Sequence, residues 1–187
     1  MQAVMGGFAD KMKHNPAMVI LGLALYIAAG IAGAAEPVAG TNDPPVPEKK
    51  LVHVYFADKS LAHLSAEDRV VPDSGDPVDL GKQIMMALLQ GPRSSLMRTI
   101  PDGTRLNALF VAADGTGYVD LSEAVTEQHP GGCRSEMLTI YSIVNSLVLN
   151  VAEIKTVKIL ISGNEAWTLA GHVDIRFPFP AEMLLIR

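Results

Sequence analysis

The hydropathy pattern changes period along this chain, and each change marks an element. From Ala17 to Ala35 no side chain is charged, a 19-residue run reading AMVILGLALYIAAGIAGAA. That length falls within the ~17–25 residues a helix needs to cross a bilayer core. Pro16 stands just before the run, where a missing N–H costs least, and no proline interrupts it. Residues 36–50 (EPVAGTNDPPVPEKK) follow, with Pro37, Pro44, Pro45 and Pro47. Such spacing favours an extended polyproline conformation and predicts a semi-rigid spacer.

Beyond the spacer the pattern becomes that of a folded domain, 51–187. Leu51–Phe56 (LVHVYF) predicts a strand, and a polar stretch containing Glu67, Asp68 and Arg69 follows it. Asp76-Pro77 opens a helix as cap and first residue, and Leu80, Ile84, Ala87 and Leu88 share one face. Gly91-Pro92 ends it. Pro101-Asp102-Gly103 is a turn, and Leu106, Ala108 and Phe110 carry a strand period. Asp114-Gly115 turns the chain back into Tyr118–Leu121. A second helix begins at Gly131-Gly132 and carries Met137, Ile140, Val144, Leu147 and Val148 as a stripe. Val157, Ile159 and Ile161 alternate as a further strand, and Trp167–Leu169 and Val173–Ile175 are short candidate strands. The order β-α-β-β-α-β predicts an α+β domain, two helices packed on one small sheet.

Charge supplies an address. Lys11 and Lys13 precede the apolar run, and the first charges after it, Glu36 and Asp43, are acidic. The positive-inside bias therefore assigns residues 1–16 to the cytoplasm, 17–35 to the cytoplasmic membrane and 51–187 to the extracytoplasmic (periplasmic) side. Ala32-Gly33-Ala34 also fits a signal-peptidase site, which would release the domain as an exported soluble form. The run exceeds the usual ~7–15 apolar residues of a signal peptide, which favours an uncleaved anchor.

Composition narrows the function. With 49% hydrophobic residues the chain can build a core, and its net charge of −5 argues against a nucleic-acid partner. A single cysteine excludes an intramolecular disulfide framework and any multi-cysteine metal centre.

Few residues offer chemistry. Cys133 opens the second helix four residues after His129, so a helix-activated thiol with a histidine base is one reading. A glycine-rich lead-in to a helix with an incidental cysteine is the plainer one. His172 and Asp174 share a face if they lie on a strand, where they could bind a metal or exchange a proton; fixing the terminal strand is the structural alternative. His53 is expected on the solvent face. Asn145 and Ser146 interrupt the apolar second helix, either as a polar spot for a partner or to satisfy nearby backbone. Arg93 and Arg98 read as solvated loop residues, with anionic glycan or lipid as the other option. No hydrolase elbow, zinc-protease, phosphate-loop or dinucleotide motif is present.

A set of ordered motifs spans most of 51–180: Val54-Tyr55-Phe56, Arg69, Leu88 to Pro92, Ile100 to Thr104, Val119-Asp120-Leu121, Ile143 to Leu147, Val157 to Gly163, and Gly171 to Asp174 with Pro178. Together they resemble the GerMN domain of spore-germination and sporulation proteins. The resemblance implies a non-catalytic fold similar to ring-building motifs, without cofactor or metal, and an envelope or peptidoglycan-associated role. It also makes His172 and Asp174 structural. The expected function is therefore that of a non-enzymatic, membrane-anchored envelope module. Such a module would assemble with envelope proteins or with its own copies, as a ring or oligomer. The alternative is a peptidoglycan- or glycan-binding domain, for which Trp167 and four tyrosines are available.

Overall fold

The computed structural model describes residues 48–187. The expected cytoplasmic stretch 1–16, the apolar run 17–35 and most of the spacer lie outside them. Among the described residues no helix is long and apolar enough to cross a membrane.

Ten elements follow one another: β1 (Glu48–Ala57), β2 (Leu64–Asp73), α1 (Pro77–Gln90), β3 (Leu106–Val111), β4 (Thr116–Leu121), the short α2 (Ala124–Glu127), α3 (Cys133–Val148), β5 (Thr156–Ile161), β6 (Phe179–Pro180) and a 3-10 turn (Met183–Leu185). The fold is α+β, but it has two sheets where the sequence reading expects one. β1 and β2 form an antiparallel pair, and β3-β4-β5-β6 form the second sheet. β4 and β5 run parallel, so the chain needs a long crossover, which α3 supplies.

The polar stretch around Glu67–Arg69, to which the sequence pattern assigns no element, is a strand. In β2 the periodicity is present but its chemistry is inverted. Arg69 points inward and is 2% exposed, while Val70 points out and is 63% exposed. Arg69 is tolerated inside because Glu67 accepts its Nε at 2.7 Å and the Gly91 carbonyl accepts Nη2 at 2.7 Å. β1 starts earlier than the expected Leu51, since Glu48, Lys49 and Lys50 of the spacer already pair with Asp73, Pro72 and Val71 of β2. Trp167–Leu169 and Val173–Ile175 touch through one bridge, Thr168 to Asp174, without forming strands. The terminal strand is instead Phe179–Pro180, paired to Thr156 and Val157.

The core lies between the helices and the sheets. Ile84, Met85 and Leu88 of α1 meet Ile140, Ile143, Val144 and Leu147 of α3, with Leu109, Val119, Leu121, Val157 and Ile159 from the larger sheet. Val52, Val54 and Phe56 join from β1. The ends of α1 are set locally. Asp76 Oδ1 accepts the Val78 N–H at 2.7 Å, and Gly91 closes the helix at φ 85°, a conformation that favours glycine. Inside α1, Gly81 permits close approach: a Cβ there would stand 3.2 Å from both Leu109 methyls.

Candidate functional site

Five polar side chains of α3 are buried: Glu136, Thr139, Ser142, Asn145 and Ser146. Each is spent on a segment that crosses the helix. Glu136 accepts the N–H groups of His172 (3.2 Å) and Val173 (2.9 Å) and the His172 Nδ1 at 2.7 Å. Burial pushes its carboxyl up, but the Val173 N–H, the His172 ring and the neighbouring backbone outweigh burial. They hold the carboxyl below the usual carboxylate range.

Asn145 and Ser146, for which the sequence leaves open a partner-facing spot or a bond to nearby backbone, both bond backbone of their own chain. Asn145 accepts the Glu182 N–H at 2.9 Å and donates to the Glu182 carbonyl at 3.1 Å. Ser146 Oγ accepts the Tyr55 N–H at 3.0 Å. Asn150 continues the row: its Oδ1 accepts the His53 N–H at 2.9 Å and its Nδ2 donates to the His53 carbonyl at 2.8 Å. Together with reciprocal backbone bonds between Ala57 and Met97, these contacts occupy the outward edge of β1.

His129 and Cys133 lie on one cavity, yet no hydrogen bond joins them. His129 Nδ1 accepts the Gly131 N–H at 3.0 Å, which puts the ring proton on Nε2 facing Thr139 Oγ1 at 2.9 Å. Thr139 in turn donates to the Thr99 carbonyl. Burial lowers the His129 pKa against the opposing pull of Glu136. With both ring nitrogens engaged, His129 fastens its own loop to α3 and is not oriented as a base toward the thiol, while Thr139 fastens Thr99. Cys133 itself is exposed.

His172 and Asp174 are not brought together. His172 turns to Glu136, whereas Asp174 pairs with Arg176, Oδ2 to Nη2 at 2.7 Å. The Arg176 side chain and N–H hold the Asp174 carboxyl at about 2. His53 lies on the outer face as expected, 2.8 Å from Asp68. Among the described residues no group of three or more His, Cys, Asp or Glu side chains is placed to hold a metal ion.

The cavity beside His129 and Cys133 has a volume of about 490 Å³. Its floor is Ala57, Ile100 and Leu138; Arg98 and Arg134 stand at its rim. Arg98 is expected among solvated loop residues, and the sequence pattern singles out neither Arg134 nor Glu136. The signal for Glu136 was its phase, four and seven positions before the buried Ile140 and Ile143. An acid on that face must be buried and satisfied. Nothing in the sequence marked the cavity, because its walls come from distant segments.

The two-sheet α+β fold is shared with solved proteins, GerMN domains among them. It is similar to a candidate lipoprotein from Clostridium perfringens at 22% identity and TM-score 0.53, over 76% of this chain and 93% of that one. It is also similar to the tandem GerMN domains of the sporulation protein GerM from Bacillus subtilis at 19% identity and TM-score 0.54. That match covers 72% of this chain and 45% of the two-domain chain. The first GerMN domain of the same protein matches at 15% identity and TM-score 0.52, over 72% of this chain and 98% of that one. At these identities the likeness is one of fold. The sequence profile named Germane, described as sporulation and spore germination, matches residues 53–166, more than half of the chain. The chain belongs to this family. No curated protein matches it at a significant level.

Proposed function

We propose that this protein is a non-enzymatic module of the cell envelope. In this reading the apolar run 17–35 holds it in the membrane, and the 48–187 domain contacts envelope proteins or further copies of itself outside the cytoplasm. The observation that carries the reading is the fate of the polar side chains. His129, Glu136, Thr139, Asn145 and Ser146 all bond segments of their own chain, and the cavity beside them is left as a binding shape without an assembled catalytic set. The test is photocrosslinking of the full-length chain in intact cells. A discrete higher-mass species is expected, and a clean monomer from probes spread over the domain surface would sink the reading.

One observation favours the second reading, a peptidoglycan- or glycan-binding domain. Trp167 is 75% exposed, with the Arg176 guanidinium 4.6 Å from its ring centre and the exposed Phe177 beside it. An open indole face flanked by a charged pair suits a sugar ring. Retention on purified cell wall that survives high salt and disappears in Trp167→Ala is the result this reading requires.

A further inference from the structure

We propose that the cavity at the head of α3 takes the C-terminus of a partner peptide, an apolar terminal side chain together with its free carboxylate. This deepens the interaction reading above and rests on it.

The argument begins with shape. About 490 Å³ lies at the lower end of the ~300–1,000 Å³ typical of ligand pockets, so it admits a residue or two rather than a folded surface. Its floor is apolar and already desolvated, since Ala57, Ile100 and Leu138 are buried in the fold yet line the space. An apolar side chain entering it would shed water against a floor that has no polar group to lose.

Charge fixes the other half of the ligand. No Asp or Glu lines the cavity. The two rim arginines are positioned by carbonyls, which orient a guanidinium without neutralising it. Arg134 donates Nε to the Leu61 carbonyl at 3.0 Å and Nη2 to that of Ala62. Arg98 donates to the carbonyls of Leu89 (2.7 Å) and Gln90 (2.9 Å). Among the described residues Arg134 forms no ion pair, and the nearest acid to Arg98 is Asp102, 3.8 Å away and 92% exposed. Two other guanidiniums are tied to acids, Arg69 to Glu67 and Arg176 to Asp174, whereas Arg93, Arg105 and Arg187 form no ion pair among the described residues. In an acidic chain, a cationic rim with only the long, exposed Arg98–Asp102 pair against it, over an apolar floor, is complementary to one carboxylate next to one apolar group. The α3 start, which has no side-chain cap, adds the partial positive charge of its free N–H groups on the same side.

The mouth is shaped as well. Leu61 sits at φ 55°, an unusual conformation for leucine, in a turn held by Asp58 Oδ1 accepting the Ala62 N–H at 2.8 Å. The turn holds the 46%-exposed Leu61 side chain at the cavity edge.

The experiment uses the full-length chain in detergent and fluorescein-labelled tetrapeptides, randomised at the first three positions and ending in Leu, Val, Phe or Lys. Each pool is made as free acid and as C-terminal amide. Anisotropy is expected to show saturable binding of the Leu, Val or Phe acids, about tenfold weaker for the amides, and weaker again for Lys. Cys133 lines the cavity and is the only cysteine, so bound acid should slow its alkylation. Arg98→Gln and Arg134→Gln should each cut acid binding several-fold without affecting the amides. The acid–amide comparison needs no variant and stands if either fails to fold. Equal binding of acids and amides, no binding, or no protection of Cys133 overturns the proposal. Protection of Cys133 by anionic lipid vesicles but not by peptide acids overturns it too, in favour of a membrane. If cellular crosslinks form while the cavity stays empty, the interaction reading survives and this one falls.

Discussion

Asn145 and Glu182 pair as if they were residues on neighbouring strands. The Asn145 amide both accepts from the Glu182 N–H and donates to the Glu182 carbonyl, at 2.9 and 3.1 Å. A helix side chain thereby does the work of a neighbouring strand, and the chain just beyond β6 is held against α3.

Asn145→Ala removes both bonds and leaves two backbone groups to find new partners. A loss of about 1–3 kcal/mol is expected in urea unfolding. The helix itself should persist, since alanine favours it. A loss under about 0.5 kcal/mol would mean that the pairing is incidental.

Glu67 sets the acid limit of the fold. Burial would raise its carboxyl above 4.5, but Ser94, the Arg93 N–H and Arg69 bring it to about 2. Its folded value is thus depressed, so the unfolded chain takes up the proton first as pH falls. The stabilisation is complete above about 4.5 and fades as pH drops toward 2, a term on the order of 3 kcal/mol. Denaturation midpoints between pH 6 and 2.5 should fall in the parent and flatten in Glu67→Gln. Parallel curves would remove Glu67 from the account.

His129 acts in a higher window. Its folded pKa lies below 6.5, so protonation favours the unfolded chain. Its contribution is intact above about 6.5 and declines on acidification below that value. Protonated Nδ1 would also face the Gly131 N–H it now accepts. An NMR titration should show this ring, among five histidines, moving only below pH 6.5. A midpoint at or above 6.5 contradicts the assigned network.

Gly81 tests the helix–sheet spacing. Gly81→Val places branched carbon where Leu109 methyls already stand at 3.2 Å from a bare Cβ, and a loss of about 1–3 kcal/mol is expected. Gly81→Ala should be close to neutral, since gained helix propensity of about 1 kcal/mol offsets the crowding. Thermal melts of the two variants side by side decide it.

The parts legible in the sequence were those decided within a few residues. Asp76-Pro77 and Gly91-Pro92 bracket α1 because capping and the left-handed C-cap are local events. Gly131-Gly132 marked the start of α3 for the same reason. β2 was illegible because its inward positions carry Glu67 and Arg69, whose pairing is settled by Gly91, Arg93 and Ser94, more than twenty residues away. The division into two sheets depended on which strands meet, and β6 owes its existence to Thr156 and Val157. At the candidate site, nearness in sequence misled. His129 and Cys133 share a cavity, but the histidine is claimed by Thr139, and His172 is claimed by Glu136 rather than by Asp174.

Ser146, Asn150 and Met97 between them answer the outward N–H groups of Tyr55, His53 and Ala57. A stray strand sliding up to that flank would find every donor on this stretch taken. Runaway fibre growth is closed off there.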